Sequence, residues 1–352
     1  MSDRPAPAPV VIKLGGDALA SPQRIVAQAA RVARLAADGP VVAVASARRG
    51  VTDHLLGLAR EITAEAGRSG AARKNTDDRC SRAERDRAVA TGEVVSAALL
   101  ALALNQLGIE AVSLDAREAG VLSHGHFGDA RIRRVAPRRV EQLLAKRIVP
   151  VVTGFQGWQQ GRVATLGRGG TDTSAVALTI ALKGERTLFV KEAHGLRTAD
   201  PKLVPEAERI PEAPHQFLSV LTSAGSKVVQ AEAARLAESH GVRLEFCSLE
   251  SATPDTVVHA GAAAAGLRAV ASHTVDGHGQ VTVLAGQSAD FQYEAEALRA
   301  ALQSAAIPVV EIQPAANGLR FLVPADQTTG AVRALHAAFI GCRPPQNARR
   351  AS

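Results

Sequence analysis

The sequence predicts an α/β protein with a mainly parallel central sheet, followed by a smaller α+β domain. Through most of the chain, short apolar stretches alternate with longer amphipathic ones, and that alternation is typical of βαβ units. The apolar stretches carry few polar residues, as expected for strands covered by helices on both faces. Aromatic residues make up only 3% of the 352 residues. The predicted core therefore depends on small aliphatic side chains.

The elements of the first domain follow from apolar runs, glycine turns and helical spacing. Strands are predicted at 10–14, 41–46, 111–114, 148–152 and 187–191. Helices are predicted over 25–35, from residue 55 onward, and over the Ala/Leu-rich stretch 94–107. Residues 67–87 are dense in charge and poor in large apolar groups, so we expect a solvated helical excursion or a loop there.

The pattern changes after about residue 265. Strands are predicted at 280–286, 308–312 and 319–323, and helices at 293–304 and 329–339. This order of strand, helix, two strands and helix predicts a ferredoxin-like module.

Composition and charge argue against several classes of partner. Lysine and arginine number 41 against 34 acidic residues, a net charge of +7. The basic residues lie in separate places and the chain has one Trp and one Tyr, so base-stacking surfaces are poorly supplied and we expect no nucleic-acid partner. With no run of about 18 apolar residues and no signal peptide, we expect no membrane partner and a cytoplasmic protein.

The cysteines predict neither a disulfide framework nor a zinc site. Cys80, Cys247 and Cys342 are scattered and odd in number, and no Cys-x-x-Cys pair is present.

Polar residues at strand ends predict one ligand-binding rim. Lys13, Ser46, Thr153 and Lys191 all end predicted strands, and ligands gather at the carboxyl ends of strands in open parallel sheets. The segment from Thr165 to Asp172 adds glycines, hydroxyls, a guanidinium and a carboxylate directly before an apolar helix. Glycines and helix-start amides suit a phosphate, while arginine suits a carboxylate.

Six motifs occur in one order along the chain. They are Lys13-Leu14-Gly15-Gly16, Gly92-Glu93-x-x-Ser96, and the segments 151–155, 165–172, 195–201 and 225–228. Together they resemble the aspartate kinases of the amino-acid kinase family over about residues 10–260, and the C-terminal segment resembles one ACT module. The resemblance implies an amino-acid kinase-like three-layer α/β fold with a mainly parallel sheet, plus a C-terminal ferredoxin-like (ACT) α+β domain.

The implied domain boundaries divide the chain into four parts. They are a disordered N-terminus at 1–9, a catalytic domain at 10–265, an ACT-like regulatory domain at 266–342 and a disordered basic tail at 343–352.

The implied activity is ATP-dependent phosphorylation of the β-carboxylate of L-aspartate, giving 4-phospho-L-aspartate. Bringing two anions together requires cations and amide donors around the transferring phosphoryl group. No Gly-x-x-x-x-Gly-Lys-Ser/Thr motif is present, so the ATP site would not be a P-loop. Mg²⁺ would be held mainly by phosphate oxygens, without a dedicated protein metal site.

The resemblance also implies roles for individual residues. Lys13 would be the main cation that bridges the phosphoryl donor and the acceptor, with Asp172 organising it. Arg168 would bind the α-carboxylate of the substrate and Glu93 its amino group. The remaining implied substrate residues are Ser46 and Thr171, and the implied nucleotide residues are Gly15, Gly16, Gly169, Gly170, Lys191, Glu192, Arg197, Asp200 and Lys227.

Simpler interpretations of three of these residues stay open. Glu93 at a helix start could be a capping carboxylate. Lys13 could be a lysine at an exposed strand end, and Lys227 an exposed lysine at the start of a helix.

The chain departs from the family pattern in two loops. Family members usually continue the first turn as Gly-Gly-Thr-Ser, whereas Asp17-Ala18 stand here and bring a carboxylate toward the phosphates. The nucleotide loop usually begins Thr-Asp-Val-Asp-Gly with a tyrosine two residues later. Here it begins at Lys191, with Arg197 at the tyrosine position.

The departures leave two alternatives open: a kinase for another amino acid or carboxylate, and a non-catalytic amino-acid-binding regulatory protein. Only one ACT-like module is plain, which leaves feedback regulation in question. We expect a homo-oligomer, and a dimer in preference to a larger assembly.

Overall fold

The structure is a computed structural model that describes residues 7–68, 79–192, 195–264, 266–286 and 291–341. Of the ends predicted to be disordered, residues 1–6 and 343–352 lie outside the described residues, and residues 7–9 lead irregularly into the first strand. Cys342 and part of the charge-rich stretch, residues 69–78, also lie outside them.

The described residues form eighteen strands and nine α-helices. The strands are β1 (Val10–Leu14), β2 (Val41–Ala45), β3 (Ala111–Leu114), β4 (Val121–His126), β5 (Asp129–Val135), β6 (Val149–Thr153), β7 (Gln156–Gln159), β8 (Arg162–Thr165), β9 (Arg186–Lys191), β10 (Leu196–Arg197), β11 (Arg209–Ile210), β12 (Glu212–Pro214), β13 (Leu244–Ser248), β14 (Thr256–His259), β15 (Arg268–Val275), β16 (His278–Ala285), β17 (Glu311–Ala315) and β18 (Gly318–Pro324). The α-helices are α1 (Pro22–Asp38), α2 (Val51–Arg68), α3 (Arg79–Gln106), α4 (Arg138–Ala145), α5 (Gly170–Ala181), α6 (His215–Ser223), α7 (Ala231–His240), α8 (Phe291–Ser304) and α9 (Thr328–Gly341).

The contacts divide the chain into two compact units. The first contains Met1–Glu192 and Val242–Glu250, and the second contains Ala193–Gly241 and Ser251–Ser352. This division differs from the predicted boundary at residue 265. In the second unit Ala199, Val204 and Ala207 share a core with the C-terminal sheet and helices, which explains why the segment before residue 265 groups with them. The boundaries at 10–265 and 266–342 stay a prediction about separately folding domains.

The first unit contains a parallel sheet in the order β13-β9-β1-β2-β6-β3. Its strands are buried along almost their whole length, as predicted from their continuous apolar character. All five predicted strands of this sheet are present, which confirms the α/β class. Strand β13 was not predicted.

Helices cover both faces of this sheet and make it the middle of three layers. On one face, α1 and α3 pack against side chains such as Ile12 and Leu14. On the other, α4 and α5 pack against Val11, Val42 and Val44. Because successive side chains of a strand point to opposite faces, Val11 and Ile12 of β1 enter different cores.

Helix α3 begins much earlier than predicted. The expected helix over 94–107 is part of a longer one that starts at Arg79, so the charge-rich residues 79–87 are helical. By length and composition α3 could cross a membrane, contrary to the expectation that no such segment exists. Half of its apolar window is buried inside the structure, as in the core helix of a globular domain.

A second small sheet in the first unit was not predicted. It has the order β5-β4-β7-β8, with antiparallel β4–β5 and β7–β8 pairs. Strand β5 is rich in arginine, and a run of charged residues predicts a solvated surface segment rather than a strand. This sheet positions the segment from Thr165 to Asp172, because β8 ends at Thr165.

The C-terminal sheet in the second unit is antiparallel, in the order β15-β16-β18-β17. The predicted strands and helices are present, with β17 displaced to Glu311–Ala315. One strand, β15, was not predicted. It precedes the others in the chain and pairs along the edge of β16.

Candidate functional site

Three charged side chains form a buried cluster at the carboxyl end of the parallel sheet. The Nζ of Lys13 lies 2.9 Å from Oδ1 of Asp172, and the Nζ of Lys191 lies 2.9 Å from Oδ2 of the same carboxylate. Asp172 is only 4% exposed. One carboxylate therefore joins two ammonium groups that come from neighbouring strands.

Strand alternation explains why both lysines reach this carboxylate. Lys13 follows Val11 by two residues on β1 and shares its face of the sheet, which α4 and α5 cover. On β9, Val190 enters the opposite core, so Lys191 faces α5 as well. Asp172 lies in the first turn of α5, where the helix dipole also favours a negative charge.

Electrostatics keep Asp172 ionised. Burial by itself would raise the pKa of Asp172, but the charges of Lys13 and Lys191 outweigh burial and hold that pKa well below its usual range. Burial lowers the pKa of Lys191, an effect that Asp172 opposes and Lys13 reinforces. The cluster thus has two ammonium groups around one permanent carboxylate.

A cavity of about 410 Å³ opens beside the cluster. Its volume falls within the roughly 300–1,000 Å³ of small-molecule sites. Its wall includes all four predicted substrate residues and both predicted catalytic residues: Ser46, Glu93, Arg168, Thr171, Lys13 and Asp172. Residues far apart in the sequence are therefore gathered around one space.

Glu93 lines this cavity, and its carboxylate is buried. It is 3% exposed, and its Oε1 accepts a hydrogen bond from the Ala47 N–H at 3.1 Å. Its buried Oε2 has no hydrogen-bond partner among the described residues. Burial raises the pKa of Glu93 to about 7, against the effect of the Ala47 amide. Because α3 begins at Arg79, Glu93 lies inside the helix, and the capping alternative is wrong.

The turn before α5 requires glycine. Gly167 and Gly169 have φ values of 71° and 78°, in the left-handed region that glycine tolerates best. A Cβ on Gly170 would lie 2.6 Å from Cβ of Leu166. The Gly170 N–H donates to the Gly167 carbonyl at 3.1 Å, so this amide is already bonded. The N–H of Gly169 has no acceptor within the part of the chain that the structure describes.

Arg168 in the same turn is exposed and lines the cavity. Within the described ranges it has no ion-pair partner. A solvated guanidinium at the edge of a cavity is suited to bind a carboxylate in a bidentate manner.

The first glycine turn is packed closely against its neighbours. The Gly15 N–H donates to the Val190 carbonyl at 3.3 Å. This amide is one of the four, from Gly15, Gly16, Gly169 and Gly170, that were predicted to contact the nucleotide. A Cβ on Gly16 would lie 2.8 Å from the Ala47 carbonyl oxygen, so only glycine fits there without movement.

Asp17, which follows this turn, forms an ion pair with Arg49. The Nε of Arg49 lies 2.8 Å from Oδ1 of Asp17, and an Nη of Arg49 lies 3.4 Å from the Glu192 carboxylate. The guanidinium thus balances the charge that Asp17 introduces where the family has a hydroxyl. Glu192, a predicted nucleotide residue, is half-exposed and contacts Arg49.

Asp86 also lines this cavity, and the sequence analysis did not predict it as a site residue. Its Oδ2 accepts hydrogen bonds from the backbone N–H groups of Gly128 and Thr165, each at 2.7 Å. Burial raises its pKa, although both amides oppose the shift. Asp86 precedes Glu93 by two helical turns, so a longer α3 in the sequence interpretation would have placed both on one face. Arg85 also lines the cavity.

Three predicted nucleotide residues belong to the second unit. The Arg197 guanidinium donates to the Ala207 carbonyl at 2.7 Å. Asp200 Oδ1 accepts from the Lys202 N–H at 2.9 Å. Lys227 is exposed between α6 and α7. Their role in nucleotide binding stays a prediction.

The described residues contain no group of three or more His, Cys, Asp or Glu side chains suited to a metal ion. Cys80 is exposed and Cys247 is buried, and both are reduced thiols.

The chain is similar in sequence to bacterial aspartokinases. The chain is 38% identical over 237 residues to an aspartokinase of Helicobacter pylori, covering 67% of this chain and 55% of that protein. It is 36% identical over 252 residues to an aspartokinase of Corynebacterium glutamicum, covering 71% and 56% respectively. The chain therefore spans about half the length of the curated relatives it matches.

Solved structures share the fold. The E. coli aspartokinase III complex with aspartate and ADP matches with a TM-score of 0.63 at 22% identity, over 94% of this chain and 83% of that one. An aspartate kinase from Synechocystis matches with a TM-score of 0.61 at 25% identity, over 96% and 71%. Residues 8–248 match the sequence model of the amino acid kinase family. With its three-layer parallel-sheet fold and a match over most of its length, the chain belongs to the amino acid kinase family.

Proposed function

We propose that the protein transfers the γ-phosphoryl group of ATP to the β-carboxylate of L-aspartate, forming 4-phospho-L-aspartate and ADP. The observation that carries this proposal is the Lys13–Asp172–Lys191 cluster at the edge of a cavity that also contains Glu93 and Arg168. The aspartokinase relatives support the same activity.

The cavity has the charges that an α-amino acid requires. The exposed guanidinium of Arg168 would bind the α-carboxylate, and the buried Oε2 of Glu93 would accept from the α-ammonium group. An ammonium group there would favour the ionised carboxylate and so lower the raised pKa of Glu93. Ser46 and Thr171, which also line the cavity, would add hydroxyl contacts.

The chemistry needs positive charge more than it needs a base. The β-carboxylate, with an ordinary pKa of about 3.9, is already a deprotonated nucleophile. One of its oxygens bonds to the γ-phosphorus while the bond from phosphorus to the β,γ-bridging oxygen breaks, and the electron pair leaves with ADP. Lys13, held by Asp172, would neutralise charge on the transferring oxygens.

The nucleotide would bind as MgATP, with Mg²⁺ on phosphate oxygens. The amides of Gly16 and Gly169 are the best candidates for phosphate contacts, because those of Gly15 and Gly170 donate within the chain. Lys191 and Glu192 are the further proposed nucleotide residues of the first unit. For Arg197, Asp200 and Lys227 of the second unit, the proposal rests on the resemblance alone. We also propose a cytoplasmic homo-oligomer, first of all a dimer, with a regulatory ACT-like module.

An acceptor panel with ATP, Mg²⁺ and coupled ADP detection tests the proposal. Aspartate should be the best acceptor, with ADP formation dependent on both aspartate and Mg²⁺. Lys13→Ala and Asp172→Ala should lose at least about 100-fold in kcat, whereas Lys146→Ala at an exposed position should match the parent.

Each contrary outcome has a distinct meaning. Robust turnover by both site variants would refute the assigned site. Glutamate or an aspartate analogue exceeding aspartate would identify a kinase for another acceptor. Calorimetric binding of aspartate without any binding of MgATP would identify a regulatory protein.

A further inference from the structure

We infer that Lys191 is a second cation for the γ-phosphoryl group of ATP, rather than a contact to the nucleoside part of the nucleotide. This inference rests on the proposed kinase function and assigns a contact within it. It makes Lys191 a partner of Lys13, with Asp172 positioning both.

The geometry is the first support for this inference. Lys13 and Lys191 reach the two oxygens of one carboxylate at the same distance, 2.9 Å. Both side chains leave the same face of neighbouring parallel strands, β1 and β9. A phosphate that meets Lys13 at this position would also lie near Lys191, because both ammonium groups contact the same carboxylate.

The charge of the cluster is the second support. Two ammonium charges and one carboxylate charge leave one net positive charge among three groups of low exposure, with side chains 9%, 20% and 6% exposed for Lys13, Lys191 and Asp172. Burying an ammonium group is unfavourable unless an anion compensates it. An incoming phosphate carries the negative charge that such a cluster favours.

The substitution pattern is the third support. Lys191 stands where the resemblance predicts threonine, and Asp17 stands where it predicts a hydroxyl residue near the phosphates. Asp17 and Glu192 are both paired to Arg49, whereas Lys191 contacts Asp172.

Nucleotide binding distinguishes a γ-phosphate contact from a nucleobase contact. We would measure by calorimetry the affinities of parent and Lys191→Met for Mg²⁺ with ADP and for Mg²⁺ with adenylyl imidodiphosphate, a non-hydrolysable ATP analogue. Lys191→Met should lose at least about tenfold in affinity for the ATP analogue and little for ADP. Its kcat should fall about 10²–10³-fold. The exposed Lys146→Met serves as the matched control and should change neither.

Equal losses for the two nucleotides, or no loss, would overturn the inference. If Lys191→Met does not fold, as judged by its melting curve, Lys191→Thr restores the residue that the family usually has and takes its place in both measurements. The binding comparison does not involve an acceptor, so a different acceptor from aspartate would leave the inference standing. A parent protein that bound neither nucleotide would refute the kinase proposal and this inference together.

Discussion

Replacing Glu93 with glutamine should stabilise the free protein by an amount that grows with pH. The buried carboxylate has its pKa raised from an ordinary 4.5 to about 7, so the folded state favours the protonated acid. The stability that this group contributes is complete below pH 4.5 and is lost as the pH rises to about 7. Glutamine is neutral throughout and retains a carbonyl oxygen for the Ala47 N–H.

The magnitude follows from the size of the pKa difference. At about 1.36 kcal/mol per unit, ionising buried Glu93 above pH 7 costs on the order of 3 kcal/mol. The gain in the free energy of unfolding of Glu93→Gln over the parent should therefore increase by about 2.5 kcal/mol between pH 5 and pH 8. The group is 3% exposed, so solvent screening reduces this figure little.

Urea unfolding of parent and variant at several pH values measures this gain directly. Glu61→Gln, on the exposed surface of α2, is the control and should show no pH-dependent difference. A gain that stays constant from pH 5 to pH 8 would refute the reasoning, because Glu93 would then titrate like a solvated carboxylate. With saturating aspartate, the pH-dependent gain should shrink, since the substrate ammonium would favour the ionised parent.

Two further variants test the parts that hold the site together. Asp86→Ala leaves the buried Thr165 amide and the partly buried Gly128 amide without their acceptor, which should reduce the free energy of unfolding by about 2–4 kcal/mol and raise KM for aspartate, as denaturation and steady-state assays would reveal. Gly170→Ala places a Cβ 2.6 Å from Leu166 and should cost about 1–3 kcal/mol. Gly57→Ala, in a helix with open space around it, should instead stabilise by about 1 kcal/mol, and equal effects of the two alanines in thermal unfolding would contradict the packing argument.

Local patterns were sufficient for the strands of the central sheet and most of its helices. Continuous apolar runs such as Val41–Ala45 have one stable place in a soluble protein, which is a sheet covered on both sides. The same patterns failed for β5 and for the start of α3, where charged residues dominate. Charge lowers the local preference for buried structure, and only tertiary contacts decide whether such a segment is ordered.

The candidate site divides in the same way. The residue types in the segment from Thr165 to Asp172 were sufficient to predict an acidic substrate beside a phosphate, since ions of one sign require partners of the other. The role of Glu93 came from the resemblance to aspartate kinases. The pairing of the charged residues was not predictable. That Lys191 joins Asp172 depends on which strands are neighbours in the parallel sheet, and sequence separation carries no information about that.

The sequence by itself determined the fold class and the rim of the sheet at which the candidate residues meet, because these depend on periodicity and on residue chemistry. Only the tertiary structure decided that Arg49 neutralises Asp17, that Asp86 holds the turn before α5, and that one buried carboxylate joins two lysines. The physical reason is that ion pairs and buried hydrogen bonds depend on distances of a few ångströms between distant segments, and those distances are fixed only when the layers pack.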